Sequence, residues 1–568
     1  MDIIPFLFFI ALFFNLRASI KLALDWRGML VTTRFVRDAY ARRSELPTEE
    51  QLEREPGAPV FLHLVPAYQE PDIAVTVGAL TASRYPHGRL HVVVITQEEE
   101  ERAPHPAMRV STGELVRRLR ETLPPYQQKR LSHVVMSGPG RKAHQLNWAL
   151  RPEVLREILT EETDPRRVFV GVSDADSIPD PDTYRWMAQR ELGGQGSLAY
   201  QGIPLSLANY DRLPIRGKIC AIQQSSIFIR VSIARLLNEV KRVRLLARLT
   251  ARAPRLAWLV RPAFELFFRR SQICLGHNQF VRLDLMQAVG GFPTSGATED
   301  STLGYELGRR GVLIQALPMV EVTDLPETSE GVIRQNARWY RGVLDDIPFL
   351  WRVWRTEPTA FNLAQLVRHI GNKVVEWPIA ALVYPVTGWL GWYLAYHHEG
   401  HRFWFYMATG APTVSLLLTV WVGGIMTQAL IEDLHPYLPR PVDLRRKSMK
   451  EKFLGTFRCQ TYWLLATRGA WRVIWALARA LRDQPGDLPA ALQAYEAARR
   501  PIVDKIVTAA DASAGWYERF AEHMALPPWD LAWSYIQRSG RVDVERLAQV
   551  SPRFVAGYRA RTAVDPSR

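Results

Sequence analysis

Cysteine is scarce. Cys220, Cys274 and Cys459 are the only three among 568 residues. An odd, scattered set argues against a disulfide framework and suits a reducing compartment. Zinc-finger spacing is missing, as is any other nucleic-acid motif, so the formal net charge of +15 is not read as a nucleic-acid surface. A basic balance of that kind also fits an anionic membrane surface or phosphorylated substrates. No internal repeat is visible. The first apolar run, Ile3 to Phe14, lacks the basic leading region and small-residue cleavage site of a signal peptide.

What is present is apolar length. Hydrophobic residues make up 47% of the chain, which is long enough for more than one domain. The first run is short for a membrane span, but crosses if its helix continues past Arg17 with that side chain snorkelling. "VVEWPIAALVYPVTGWLGWYLAY" (Val374 to Tyr396) and "FWFYMATGAPTVSLLLTVWVGGIMTQALI" (Phe403 to Ile431) exceed the length of a span, and "HHEGHR" joins them as a hairpin. The competing reading, buried helices of a soluble domain, seldom produces apolar runs of this length. The basic loop "RPVDLRRKSMKEK" after them is expected on the cytoplasmic side.

The expected organisation is an N-terminal membrane segment over residues 1–25 and a polar, helical linker over 26–57. An α/β domain follows over 58–345, then interfacial helices over 346–372 and the transmembrane hairpin over 373–432. A basic loop with an interfacial or third membrane segment covers 433–482, and a helical cytoplasmic tail covers 483–568. Within the α/β domain, "VFLHLV", "LHVVVI" and "RVFVGV" are short β-branched runs separated by helical stretches, the pattern of a largely parallel sheet. Such sheets bind ligands beyond the carboxyl ends of their strands. The polar residues there are "PAYQE", "TQEEEE" and "SDADS". Residues 216–272 are rich in Arg and Leu, with Leu236, Val240, Val243 and Ala247 at helical spacing. They form either a basic helix lying on an anionic membrane or an ordinary packed helix with a solvated face.

Asp174 and Asp176 follow a strand at i and i+2, so their side chains point the same way. Two carboxylates so placed suit Mg²⁺ or Mn²⁺ shared with phosphates, although a lone D-x-D more often serves a turn. Glu299 and Asp300 stand at the start of a helix that Gly311 ends. Asp300 is either an N-terminal cap or a general base; the helix dipole lowers its pKa and the Glu299 charge raises it. Lys142 opens another helix, where it meets a phosphate or an acidic side chain. Gln335, Arg338 and Trp339 stand at i, i+3 and i+4 and share one helical face. The Arg fork suits a diphosphate, the Trp ring suits a sugar face, and the Gln amide suits hydroxyls. The alternative is an amphipathic helix with a membrane-anchored Trp.

The order D-x-D, E-D and Q-x-x-R-W ahead of a membrane hairpin resembles the membrane-integrated family 2 glycosyltransferases, the group of the cellulose, chitin and hyaluronan synthases. The likeness runs from about Pro59 to Gly342 through "VPAYQEP", "KAHQLN", "SDADSIPDPD", "GHNQFVRLDLMQAVGGF", "TEDSTLGYELGRRG" and "QNARW". It implies a GT-A fold, Rossmann-like with a mostly parallel sheet, a nucleotide-sugar donor (a UDP-sugar) and inversion at the anomeric carbon. It implies that Asp176, helped by Asp174, meets a Mg²⁺ or Mn²⁺ and the diphosphate. Asp300, beside Glu299, would be the base. Gln335, Arg338 and Trp339 would border the acceptor and the pyrophosphate, while Tyr68, Glu70 and Lys142 would lie on the donor. Where many members end the second strand with two aspartates at the nucleotide base, this chain has "ITQEEEE", so Gln97, Glu98 or Glu99 takes that place. His277, where a small residue is common, is expected to be a hydrogen-bonded structural histidine, the alternative being a metal contact.

The resemblance implies as partners a donor, a growing polysaccharide or a lipid acceptor, the membrane, and a second copy or an export partner. No nucleic acid is expected. The implied location is the cytoplasmic (inner) membrane, multi-pass, with the catalytic domain facing the cytoplasm. A membrane receptor or scaffold on an inactive transferase fold is the reading from another class, and the intact carboxylates argue against it.

Overall fold

Three apolar runs become neighbouring parallel strands in a computed structural model: β1 (Val60–Pro66), β2 (Leu90–Gln97) and β4 (Val168–Val172). The structure describes residues 3–102, 110–160, 163–397, 400–420, 426–439, 460–483, 490, 493, 522, 524–537, 547 and 551–562. They fall into two compact units, residues 1–97 with 116–473 and residues 98–115 with 474–568.

The first unit is built on an eight-stranded sheet of order β3-β2-β1-β4-β7-β6-β8-β5. β3 (Leu131–Met136) lies at its edge and is accordingly half-buried over its four central residues, whereas β1, β2 and β4 are buried almost throughout. β6 (Ala199–Leu205) pairs in parallel with β8 (Gln315–Val322), while β5 (Ile178–Pro179) and β7 (Gln279–Arg282) run antiparallel to their neighbours. The sheet is thus mixed but mostly parallel. Because β1, β2 and β4 are parallel, the segments that leave their carboxyl ends emerge on one side.

Several helices position that side. α1 spans Ile4–Ala41 without a break, so the boundary expected at residue 25 falls inside a helix. α2 is Lys142–Ala149, α3 Ile215–Ile227, α4 Ala234–Arg252 and α5 Ala257–Phe267, with a π-helical turn at Phe228–Ile233 between α3 and α4. α6 is Glu299–Arg309, α7 Ser329–Thr356 and α8 Ala360–His369. The "TEEQ" stretch of the expected linker forms its own short helix, closed by a reciprocal capping box between Thr48 and Gln51.

Among the described residues one helix, α1, is long and apolar enough to cross a membrane. Its Arg17 pairs with Glu376 at 3.0 Å, where snorkelling was expected. The stretch expected as the first hairpin span divides into a π-helical turn (Ile370–Val375), a single turn (Glu376–Ile379) and α9 (Val383–His397). Fifteen residues rise about 22 Å, short of the ~30 Å hydrocarbon core. The second is α10 (His401–Val420) followed by Met426–Leu434. α1, α9 and α10 pack together around Phe8, Leu12, Leu390 and Leu394. The basic loop at 440–452 and Cys459 lie outside the described residues, while Cys220 and Cys274 are buried free thiols. α11 (Gln460–Asp483) closes the first unit up to Val473.

In the second unit, helices Pro528–Gln537 and Pro552–Thr562 stack Trp529 on Phe554 at 5.5 Å and Trp533 on Tyr558 at 4.1 Å. Trp516 lies outside the described residues.

Candidate active site

Lys142 is the hub. As the first residue of α2 it donates to the Asp174 carboxylate and, at 2.7 Å, to the Gly276 carbonyl, and it stands 3.7 Å from Glu299. One cation thereby joins the two acidic pairs that the sequence places 125 residues apart, from Asp174 to Glu299. Gly276 sits at φ +80°, and a Cβ there would come 3.1 Å from Asp300 Oδ2, so the loop lies directly against that carboxylate.

Asp174 and Asp176 are half-buried with Ala175 buried between them, and they stand in a turn closed by the Ser177 amide on the Asp174 carbonyl at 3.1 Å, where an extended i, i+2 pair was expected. Thr323 donates to Asp176 Oδ1 at 3.0 Å. Desolvation alone would raise Asp174, but the charges of Lys142, His277 and Arg338 outweigh it and bring its pKa down to about 2. Burial and the Asp174 charge push Asp176 up to about 6. At the start of α6, burial and then the Glu299 charge push Asp300 up to about 7, against the opposing effect of Lys142 and a hydrogen bond at 2.8 Å from the Ser301 amide. Burial, which the sequence could not reveal, is thus the largest cause of the shift, with the Glu299 charge acting in the same direction.

The T-E-D loop is held by the Q-x-x-R-W helix. Asp345 of α7 accepts from the Ala297 amide at 2.9 Å, and Asp346 accepts from the Ser301 and Thr302 hydroxyls, each at 2.8 Å. On the same helix Arg338 is exposed and its charge helps depress Asp174. Gln335 and Trp339 are half-buried, and Gln335 Oε1 is buried with no hydrogen-bond partner among the described residues. α11 presses on the back of α7: a Cβ at Gly469 would lie 2.8 Å from the Ile333 carbonyl and 2.9 Å from the Ala337 nitrogen.

The remaining expected residues are placed as follows. Tyr68 and Glu70 stand in the loop that leaves β1 through Gln69 at φ +58°. Gln97 is buried at the end of β2, where its amide donates to the Gly140 carbonyl at 3.1 Å and braces the loop before Lys142. Glu98 and Glu99 open a short helix of the second unit, in which Glu98 pairs with Arg102. His277 is buried and bonded through Nδ1 to Glu321 at 2.7 Å. Burial would lower its pKa, but the Glu321 hydrogen bond and the Asp174 charge raise it.

Several residues that shape the site carry no motif. Glu321 holds His277 on one oxygen and Ser173, just before the D-x-D, on the other at 2.6 Å, and Ser173 continues to His63 at 2.9 Å. The signal was present, since Glu321 is the one acid in the apolar run of β8. Lys373 donates to the Ser301 hydroxyl at 3.2 Å and opposes the rise of the Asp300 pKa.

The carboxylates fit a divalent cation in their chemistry. They are hard oxygen donors, and Asp176 stands beside a second negative charge that such an ion would relieve. Among the described residues no group of three or more His, Cys, Asp or Glu side chains is able to hold a metal ion. A cation held by these two carboxylates would complete its shell with other oxygen donors, such as phosphates and water.

A mostly parallel α/β sheet, with an acidic pair beyond β4 joined through a lysine to a second acidic pair on a helix, is an arrangement consistent with the GT-A glycosyltransferases. The model of Glycosyltransferase like family 2 matches residues 58–342, half of the chain, and the protein belongs to that family. No curated protein matches it. Among solved structures it is similar to the mannosyltransferase PcManGT from Pyrobaculum calidifontis, solved with GDP-Man and Mn²⁺, at 16% identity over 81% of this chain and 98% of that one, with a TM-score of 0.36. It is similar also to S. aureus TarS 1–349, at 13% identity over 64% of this chain and 91% of that one, with a TM-score of 0.27.

Proposed function

We propose that the protein transfers a sugar, with inversion, from a UDP-sugar to a hydroxyl of a growing polysaccharide at the cytoplasmic face of a membrane. The observation that carries this reading is Lys142, which pairs with Asp174 of the D-x-D and stands 3.7 Å from Glu299, next to the Asp300 carboxylate whose pKa is raised to about 7. Asp300 takes the proton of the acceptor hydroxyl, whose oxygen attacks the anomeric carbon while the bond to the diphosphate oxygen breaks. Arg338 neutralises charge growing on the leaving diphosphate, a role supported by its influence on Asp174. Trp339 offers a ring face to the acceptor sugar, and Gln335 stands half-buried one turn before it on the same helix. Tyr68, Glu70 and Gln97 line the donor side. Asp176 and Asp174 would hold Mg²⁺ or Mn²⁺, which supplies Lewis-acid stabilisation of the diphosphate when bound.

The membrane setting is supported by the apolar helix α1 and by the outward aromatic side chains Phe6, Phe9 and Phe13 on it, Trp389, Trp392 and Tyr396 on α9, and Phe403 and Tyr406 on α10.

The test is Asp300→Asn in purified membranes supplied with a panel of UDP-sugars. Transfer is expected to fall by about 10²–10⁴-fold while donor binding is retained. Asp176→Asn, or EDTA reversed by added Mn²⁺, is expected to abolish transfer and to weaken donor binding. Full transfer by Asp300→Asn removes the base from this mechanism, and full transfer in EDTA removes the metal. A product chain that ends after one sugar on an extractable lipid would replace the polysaccharide with a lipid acceptor.

A further inference from the structure

A cavity of about 800 Å³ opens between α1, α4 and α8. Among the described residues its wall carries ten Lys and Arg side chains and a single carboxylate, that of Asp25. The acids behind the wall are already committed. Buried Glu239 serves Arg242 and Arg269 at 3.3 Å each, and Glu376 serves Arg17 at 3.0 Å and Lys21 at 3.2 Å. The side chains of Arg235, Arg270 and Lys373 have no carboxylate within 4.0 Å among the described residues. Burial lowers the pKa of Arg235 and then the facing Arg270 lowers it further; Arg270 is lowered by burial and then by Arg242. Gathering cations in this way opposes folding unless an anion joins them.

The wall is not wholly polar. Ile20 and Leu24 of α1 and Leu245 of α4 line it and are exposed, and the first two lie on the same helix as the apolar run, past Arg17. Guanidinium forks facing one space match the several oxygens of a phosphate better than a single carboxylate. Lys373 belongs both to this wall and to the Ser301 hydroxyl, so the cavity adjoins the helix that carries Asp300.

We propose that this cavity binds the phosphate of an anionic ligand, held by Arg235 and Arg270, and that its apolar lining fits the headgroup region of a phosphorylated lipid. The proposal goes beyond the transferase reading, and its test needs no sugar transfer.

The test uses the full chain in a neutral detergent, with the melting midpoint as readout. Dihexanoyl phosphatidic acid at saturation is expected to raise the midpoint by about 3 °C or more, and dihexanoyl phosphatidylcholine to leave it unchanged. Inorganic pyrophosphate separates the sources: an equal rise assigns the site to phosphate of any origin, and none assigns it to a lipid headgroup. The double variant Arg235→Gln/Arg270→Gln is expected to melt higher without ligand, because repulsion is relieved, and to lose the response. Its loss locates the response in the cavity and not at the donor diphosphate. Arg270→Lys, which keeps the charge, is expected to retain the response. The proposal is overturned if neither phosphate probe raises the midpoint, if phosphatidylcholine raises it equally, or if the rise survives in the double variant.

Discussion

Burial first and then the Glu299 charge raise the pKa of Asp300, the base of the proposed mechanism. It must be deprotonated to accept a proton, so kcat/KM is expected to rise with pH and to level off above about 7. Glu299 contributes to that raised value through its charge. Glu299→Gln should therefore move the bend to lower pH, and an unmoved bend would assign it to a different group. The effect on folding has the opposite sense. A carboxyl whose pKa is higher folded than unfolded loses stability as pH rises from the unfolded value, 3.8, through the folded one. Two residues of the Q-x-x-R-W face separate by reaction. Arg338→Ala is expected to depress both transfer and the slow hydrolysis of the UDP-sugar, because leaving-group stabilisation is needed with any acceptor. Trp339→Ala is expected to spare hydrolysis and depress transfer alone. Equal losses in both assays would show that the division of roles is wrong.

At the level of elements, the packing of α11 on α7 depends on Gly469. Gly469→Leu forces the two backbones apart and is expected to cost about 1–3 kcal/mol, with a lowered melting midpoint, whereas Gly410→Leu, in open space, should leave it unchanged. An unchanged midpoint in Gly469→Leu would mean that α11 does not press on α7. The elements legible in the sequence were those with local signals. β1, β2 and β4 announce themselves as β-branched runs, and D-x-D, E-D and Q-x-x-R-W are short enough to read directly. β7 and β8 were missed because their positions in the sheet are set by distant partners. Glu321 meets His277 across 44 residues, and no local pattern encodes that pairing. Lys142 was expected on a phosphate or an acid, and its double engagement with Asp174 and Glu299 emerges only in three dimensions. α1 runs on past Arg17, whose counter-charge, Glu376, lies 359 residues away in sequence and could not be read locally.

For the whole molecule, the proposed membrane setting, with the basic residues of the stretch 440–452 and of the residues after Phe14 on the inner side, predicts an orientation. The turn between α9 and α10 should then face outward. With the native cysteines replaced, a cysteine at His401 is expected to react with an impermeant thiol reagent added to intact cells. Labelling only after lysis would contradict this arrangement. The rod of α7 ties the molecule's chemistry to its chain length. Its Q-x-x-R-W face and its clamp, Asp345 and Asp346, lie on one uninterrupted helix, the clamp roughly 9–16 Å further along its axis. Each added or deleted residue turns one group about 100° away from the other. The segment from Trp339 to Asp345 should therefore reject insertions and deletions, so that related chains keep its length, and they should also keep a small residue at Gly342, where a Cβ would run into Thr298.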